Sequence, residues 1–261
     1  MFKVKNVLIT GGLGGIGFDV CKIFIKKNFK LFIIDNLPKK IFNKRLSDNL
    51  IKNTKNEIFY KKVDLTQIVQ IKKFFRFIKK KYSSIYILIN CAGIQHVSSI
   101  ENYSDEIWEK IISVNLSSCF YTSKYALPLM KKNKWGRIIN ISSVHGQVAS
   151  VNKAGYVASK HGLIGLTKTI ALETAKLPIT CNAICPGWVD TPIVSQQIDQ
   201  RVKKNKSTRK IEEFNLLKEK QPNLSFIKGK DIAAIAYFLC TDKAKDITGS
   251  SINIDGGWTS Q

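Results

Sequence analysis

Residues 4–10, Val-Lys-Asn-Val-Leu-Ile-Thr, form a short β-rich run that leads directly into Gly11-Gly12-Leu13-Gly14-Gly15-Ile16-Gly17. A helical pattern follows to about residue 28. Strand, glycine turn and helix in that order make the opening unit of a dinucleotide-binding α/β sheet. Glycines let the backbone approach a pyrophosphate, and a helix start offers amide donors and the positive end of its dipole. A glycine-rich turn without a ligand is the plainer alternative.

The chain after this unit repeats the alternation. Residues 30–34 read as a second strand ending on Asp35, with further strands at 57–63, 85–89, 136–142, 179–185 and 251–254. Helical patterns separate them, apart from the segment 36–56, which is polar and holds a helix of uncertain length. Seven strands alternating with helices predict an α/β fold, a doubly wound parallel seven-stranded sheet in one domain over 1–261. Asp35 lies 18 residues after Gly17, where a carboxylate can accept from the adenosine ribose hydroxyls. It would repel a 2′-phosphate, and Asn36 adds no cation, so NAD is expected over NADP. A helix N-cap at Asp35 fits the same position.

At 261 residues and 44% hydrophobic composition the chain can bury a full core. No apolar run approaches the ~20 residues of a membrane span, and no signal-peptide pattern opens the chain. The expected location is cytoplasmic, with no membrane partner. A formal charge of +23 raises nucleic acid as a partner, but the lysines are spread along the chain and no dedicated motif accompanies them. In the densest run, Ile68, Ile71, Phe75 and Ile78 repeat at helical spacing while Lys72, Lys73, Arg76, Lys79 and Lys80 fall mostly opposite. That is a solvated helix face. The abundance of Lys, Asn, Ile and Phe together is what an AT-rich genome gives. Six cysteines show no C-x-x-C pair and no histidine at zinc spacing, so no metal is expected and the thiols are small buried side chains.

Chemistry enters at Tyr156-Val157-Ala158-Ser159-Lys160. Four residues apart on a helix, phenol and ammonium share a face. A phenol is a poor base at neutral pH, and a nearby cation favours its ionised form. Ser143 closes the strand-like run thirteen residues upstream and can offer a hydroxyl to the same substrate oxygen. Tyr-x-x-x-Lys alone also describes an exposed helix pair.

The spacing T-G-x-x-x-G-x-G at Thr10, Gly11, Gly15 and Gly17, the Ser143, Tyr156, Lys160 set and the turn Pro186-Gly187-Trp188-Val189-Asp190-Thr191-Pro192 agree in kind, order and spacing with one family. Over essentially its whole length the chain resembles the short-chain dehydrogenase/reductase family. That resemblance implies a Rossmann-type fold and hydride transfer with Tyr156 as base, Ser143 orienting the substrate and Lys160 acting on the tyrosine and the nicotinamide ribose. It implies that the carbonyl of Asn115 holds a relay water; read from pattern alone, Asn115 is a helix-junction cap. It also implies Thr10, Gly11, Gly15, Ile16 and Gly17 at the pyrophosphate, Asp35 at the ribose, and Asp64 with Leu65 at the adenine. Asn90, Ala92 and Gly93 would lie along the cofactor, and Pro186, Gly187, Val189 and Thr191 around the nicotinamide. Cys91 departs from the family's usual N-N-A-G.

Just past the shared motifs stand Gln95, His145, Lys153 and Gln197, donors or cations suited to a small carboxylate. Each alone also reads as a surface or capping residue. Runs such as Ala92-Gly93-Ile94-Gln95-His96-Val97 and the ending Asp255-Gly256-Gly257-Trp258 narrow the resemblance to members that oxidise (R)-3-hydroxybutyrate to acetoacetate with NAD. It then implies that Gln95, His145, Lys153 and Gln197 hold the carboxylate, that Trp188 walls the methyl side with Trp258 as second candidate, and that the assembly is a homotetramer. Residues 193–226, polar and helical in pattern, sit where a substrate lid would be inserted. His96 and His161 are expected as helix or loop residues. Two alternatives stand beside this one: an NADP-dependent 3-oxoacyl thioester reductase, opposed by Asp35 and the carboxylate cluster, and a cofactor-sensing binding protein, which has no need of Ser143, Tyr156 and Lys160.

Overall fold

In the computed structural model, which describes residues 6–47 and 57–261, the strands are β1 (Asn6–Thr10), β2 (Lys30–Asp35), β3 (Ile58–Lys62), β4 (Ile87–Asn90), β5 (Gly136–Ile141), β6 (Ile179–Pro186) and β7 (Ser251–Ile254). All pair in parallel, in the order β3-β2-β1-β4-β5-β6-β7. β1, β4, β5 and β6 are buried along their whole lengths, as parallel strands covered on both faces must be.

The helices are α1 (Gly15–Lys26), α2 (Lys39–Ser47), α3 (Ile68–Lys81), α4 (Asp105–Ile112), α5 (Ser118–Lys132), α6 (Ala154–Thr174), α7 (Pro192–Asn205), α8 (Arg209–Lys220) and α9 (Gly229–Leu239). Side chains alternate across each strand. Val7, Ile9, Leu31 and Ile33 therefore pack with Phe24 of α1 and Ile232 of α9 on one face. Leu8, Phe32 and Ile34 pack with Ile71 of α3, Met130 of α5 and Ile170 of α6 on the other. A smaller cluster joins Trp188 and Trp258 to Val194 and Ile198 of α7 and Leu216 and Leu217 of α8.

The chain passes from β1 outward to β2 and β3, then crosses back to β4 on the other side of β1. Loops at the carboxyl ends of β1 and β4 are thereby parted, and a crevice opens between them.

Differences from the expected elements are local. Val4 and Lys5 of the first run, and 48–56 of the uncertain helix, lie outside the described residues. α3 buries Ile71, Phe75 and Ile78 and exposes its basic residues as its pattern predicts. α6 ends at Thr174. Pro178 disfavours helical backbone before it, and the Thr174 hydroxyl donates to Ile170 O at 2.8 Å inside the last turn. Between α4 and α5 lies a π-helical turn, Ser113–Ser117, in which Ser118 N donates to Ser113 O. No helix among the described residues is long and apolar enough to cross a membrane.

Candidate active site

A cavity of about 850 Å³ opens at the switch point, lined by Asp35 and Asp64 from one side and by Tyr156 and Trp258 from the other. Gly11, at φ +66°, is in the left-handed region, and a Cβ there would sit 2.6 Å from Ala92 Cα. A Cβ on Gly17 would fall 2.1 Å from the Gly11 carbonyl oxygen, so this turn closes only with glycine. Gly14, the N-cap of α1, supplies no side-chain cap, which leaves first-turn amides without a side-chain acceptor. A glycine-walled cradle ending on an uncapped helix start fits a dinucleotide pyrophosphate.

Asp35 does more here than wait for a ribose. Its Oδ2 accepts from Leu13 N at 3.0 Å and its Oδ1 from Leu37 N at 3.2 Å. It ties the glycine turn to the end of β2 and closes its own Asx-type turn rather than capping α2. Arg45 of α2 donates to the carbonyl oxygen of the same residue, Leu13. Asp64 Oδ1 accepts from the Thr66 amide and hydroxyl at 2.9 and 2.8 Å, and Leu65 lines the cavity beside it.

Thr10 and Asn90 stand behind the cavity wall. The Thr10 hydroxyl accepts from the amides of Cys91 and Ala92 at 3.1 and 3.2 Å. Asn90 donates to Asn140 Oδ1 at 2.8 Å and accepts from Thr122 Oγ1 at 2.7 Å. The side chain of Asn90 is thus held in a buried network, and its part in the site is to shape the 91–93 turn. Because Thr10 holds that turn by its backbone, Cys91 leaves it intact. Burial pushes the Cys91 thiol up to about 12, so it stays protonated.

Asn115 is fully buried within the π turn. Its Oδ1 accepts from Ile94 N and its Nδ2 donates to Ile94 O, each at 2.9 Å, while Nδ2 also reaches Ser159 Oγ at 3.1 Å. The carbonyl expected to face a relay water takes the Cys119 thiol at 3.4 Å. What the side chain visibly does is clamp the loop after β4. Neither Ser159 nor the clamp has a signal in sequence spacing.

Ser143, Tyr156 and Lys160 come together where β5 ends and α6 begins. Ser143 Oγ accepts from His145 N at 3.2 Å and lies 3.4 Å from His145 Nδ1. Lys160 Nζ donates to Ile141 O at 2.8 Å and stands 5.6 Å from the centre of the Tyr156 ring. A Cβ on Gly93 would lie 3.7 Å from Lys160 Nζ and 3.6 Å from Asn115 Oδ1, so the turn after β4 passes close to both groups. Ser143 and Tyr156 face the cavity; Lys160 lies behind them, 4% exposed.

The four donors expected at a carboxylate divide. Lys153 is buried in the wall with Nζ 4.6 Å from the centre of the Trp188 ring, and burial lowers it to about 8. His145 lines the same wall between Tyr156 and Trp258, at ring separations of 5.8 and 5.3 Å. Burial first, and the Lys153 charge second, bring His145 down to about 3, so the imidazole is neutral. Its Nε2 meets Ser150 Oγ at 2.9 Å, which leaves little donor capacity for an anion. Gln95 lines the cavity but donates to Gln197 Oε1 at 3.0 Å, and Gln197 is behind it rather than in the wall. Lys153 is the cation of the set.

Trp188 and Trp258 pack at 5.4 Å and close this end. Pro186, Gly187, Val189 and Thr191 line the cavity above β6. Thr191 caps α7 through Val194 N at 3.5 Å and sets its methyl where a Cβ on Gly15 would come within 2.7 Å. Gln221, fully buried, accepts from Trp188 N at 2.7 Å, and its oxygen would be 2.5 Å from a Cβ on Gly187. Nothing periodic marks Gln221, since its partner is 33 residues away. His96 sits edge-on to Tyr103, and His161 lies on α6 with Nδ1 3.0 Å from Val157 O.

A family model described as short chain dehydrogenase matches residues 5–202. The chain is 38% identical over 264 residues to a D-beta-hydroxybutyrate dehydrogenase of Cupriavidus necator, covering all of both chains. It is 39% identical over 262 residues to a D-beta-hydroxybutyrate dehydrogenase of Rhizobium meliloti, covering 98% of this chain and 99% of that one. Among solved structures it is similar to 4-hydroxyisoleucine dehydrogenase complexed with NADH, at a TM-score of 0.87 and 33% identity over 98% of this chain and 99% of that one.

Proposed function

The chain belongs to the short-chain dehydrogenase family, and from that premise we propose that it oxidises (R)-3-hydroxybutyrate to acetoacetate, reversibly, with NAD. The observation that carries the substrate is Lys153, a buried ammonium in the wall that also presents Ser143 and Tyr156. A buried cation is costly unless an anion meets it. A short 3-hydroxy acid supplies that anion within reach of a hydroxyl group at Tyr156. Full-length likeness to two hydroxybutyrate dehydrogenases supports the same choice.

A bound nicotinamide would supply the acceptor for the hydride that leaves C3. Gly11, Gly15, Ile16 and Gly17 hold the pyrophosphate, Asp35 the adenosine ribose, Asp64 and Leu65 the adenine edge, and Ala92 and Gly93 the span between. Pro186, Gly187, Val189 and Thr191 face the nicotinamide. Tyr156 as phenolate removes the hydroxyl proton, and the Ser143 hydroxyl donates to the same substrate oxygen. Lys160 favours the phenolate by its charge and holds the nicotinamide ribose. Asn115 steadies the backbone beside it, along the route by which the proton leaves. Lys153 binds the carboxylate, with His145 and the Gln95–Gln197 pair beside it, and Trp188 and Trp258 shelter the methyl group. α7 and α8, which make up most of 193–226, act as the lid that excludes water. One domain over 1–261, a homotetramer and a cytoplasmic location belong to this reading.

A panel of kcat/KM values with NAD tests it, using (R)-3-hydroxybutyrate, its methyl ester, the (S) enantiomer and a 3-hydroxyacyl thioester. The free (R) acid should lead by a wide margin, because without its carboxylate Lys153 stays unpaired. Ester or thioester turnover equal to that of the acid would end the carboxylate assignment and favour a thioester reductase.

A further inference from the structure

We propose that Lys62 is a cofactor-specificity residue, an ammonium placed to meet a 2′-phosphate on the adenosine ribose, so that the protein keeps a measurable affinity for NADP beside its preference for NAD. The inference rests on the dinucleotide site proposed above and adds a residue to it.

Three observations converge at the adenosine end. In the parallel ladder of β2 and β3, Asp35 pairs with Lys62. Register partners on neighbouring parallel strands project from the same face of the sheet, so the two side chains leave adjacent backbone positions on one face. Both line the cavity, together with Asn36 and Leu37. Lys62 is exposed, and among the described residues it makes no ion pair.

The carboxylate that should reject a phosphate is meanwhile blunted. Both Asp35 oxygens already accept backbone amides, from Leu13 and Leu37. Two N–H dipoles aimed at an anion offset part of the repulsion it exerts on a second one. Arg45 is close by, but its guanidinium bonds the Leu13 carbonyl and lies 5.7 Å from the centre of the Phe18 ring, outside the cavity wall. Lys62 is the cation the cavity itself presents beside Asp35. Sequence order hides this, since 27 residues separate the two and only the ladder joins them.

Calorimetric titration of the whole protein with 5′-ADP and with adenosine 2′,5′-bisphosphate isolates the 2′ position from the chemistry of any alcohol substrate. The parent protein should bind both, 5′-ADP more tightly. An exposed ion pair is screened, so Lys62→Ala should weaken the 2′,5′-bisphosphate by roughly two- to fivefold and 5′-ADP by less than about twofold. Lys62→Glu should widen that difference further, and about 0.5 M salt should erase the difference between the parent and Lys62→Ala. Lys62→Glu with an unchanged ratio of the two affinities overturns the assignment. So does an equal loss for both ligands, which would make Lys62 a general attractor of anions. If the parent binds neither ligand, the dinucleotide site fails and this inference fails with it.

Discussion

Lys153 carries a charge into a wall from which water is largely excluded, and its visible compensation is the face of Trp188. Burial lowers it from 10.5 to about 8. Below pH 8 folded and unfolded chains both hold this proton, and the folded one bears the full desolvation cost. Between 8 and 10.5 the folded chain sheds it first, so stability rises with pH across that window. Lys153→Met should therefore stabilise the protein at pH 7 by on the order of 1–3 kcal/mol, with the gain fading by pH 10 while KM for the acid climbs. Urea melts at pH 7 and pH 10 check it, and a gain equal at both values would mean simple repacking. Tyr156→Phe removes one oxygen from the same wall. It should cut turnover by ~10²–10⁴-fold, typical of a lost acid–base group, while NAD still binds by fluorescence titration. Near-normal turnover in that variant would remove Tyr156 from the role of base.

At the scale of elements, α7 and α8 are joined through one buried carboxylate. Glu212 accepts from Ser207 Oγ at 2.6 Å, Asn205 Nδ2 at 3.0 Å and Arg201 Nε at 2.9 Å, which together hold it down to about 2. Arg201 reaches on to Glu219. A depressed carboxyl contributes above its ordinary range near 4.5 and loses that contribution as pH falls toward 2. Glu212→Gln should loosen the pair at every pH above that window, raising amide exchange in 192–220 and KM for the acid with little change in kcat. Exchange spreading through β1 to β5 would show that Glu212 supports the whole fold instead. The other joint, the π turn at Asn115, places a side-chain clamp on the loop after β4 without breaking the helical path. An i,i+4 pattern runs through such a turn unmarked, which is why Asn115 reads as a junction cap from sequence.

The molecule as a whole rests on two apolar layers meeting a sheet only one residue thick. Leu8, in the interior strand β1 and fully buried, packs on the α3, α5 and α6 side, while its neighbours Val7 and Ile9 serve the α1 and α9 side. Leu8→Ala should cost about 2–5 kcal/mol in a urea melt, with 5′-ADP affinity in the folded fraction unchanged, since the cavity lies beyond the strand ends. A loss of affinity at full folding would show the glycine turn depending on that layer. The crevice itself follows from topology: strands leaving β1 in opposite directions part the loops above it.

The order of strands and helices, the glycine turn and the Tyr156, Lys160 and Ser143 set were legible because each is written in neighbouring residues. Alternation, helical spacing and glycine conformation act over a few positions along the chain. Which donors are free was not legible. Gln95 meets Gln197 across 102 residues and Gln221 holds Trp188 across 33. Asp35 divides its oxygens between Leu13 and Leu37, and Lys62 stands beside it through a strand register. A side chain has a few lone pairs and protons, and whichever groups packing brings within about 3 Å take them. Sequence named the side chains that could serve the site; tertiary structure decided which of them still have a hydrogen bond or a charge to offer.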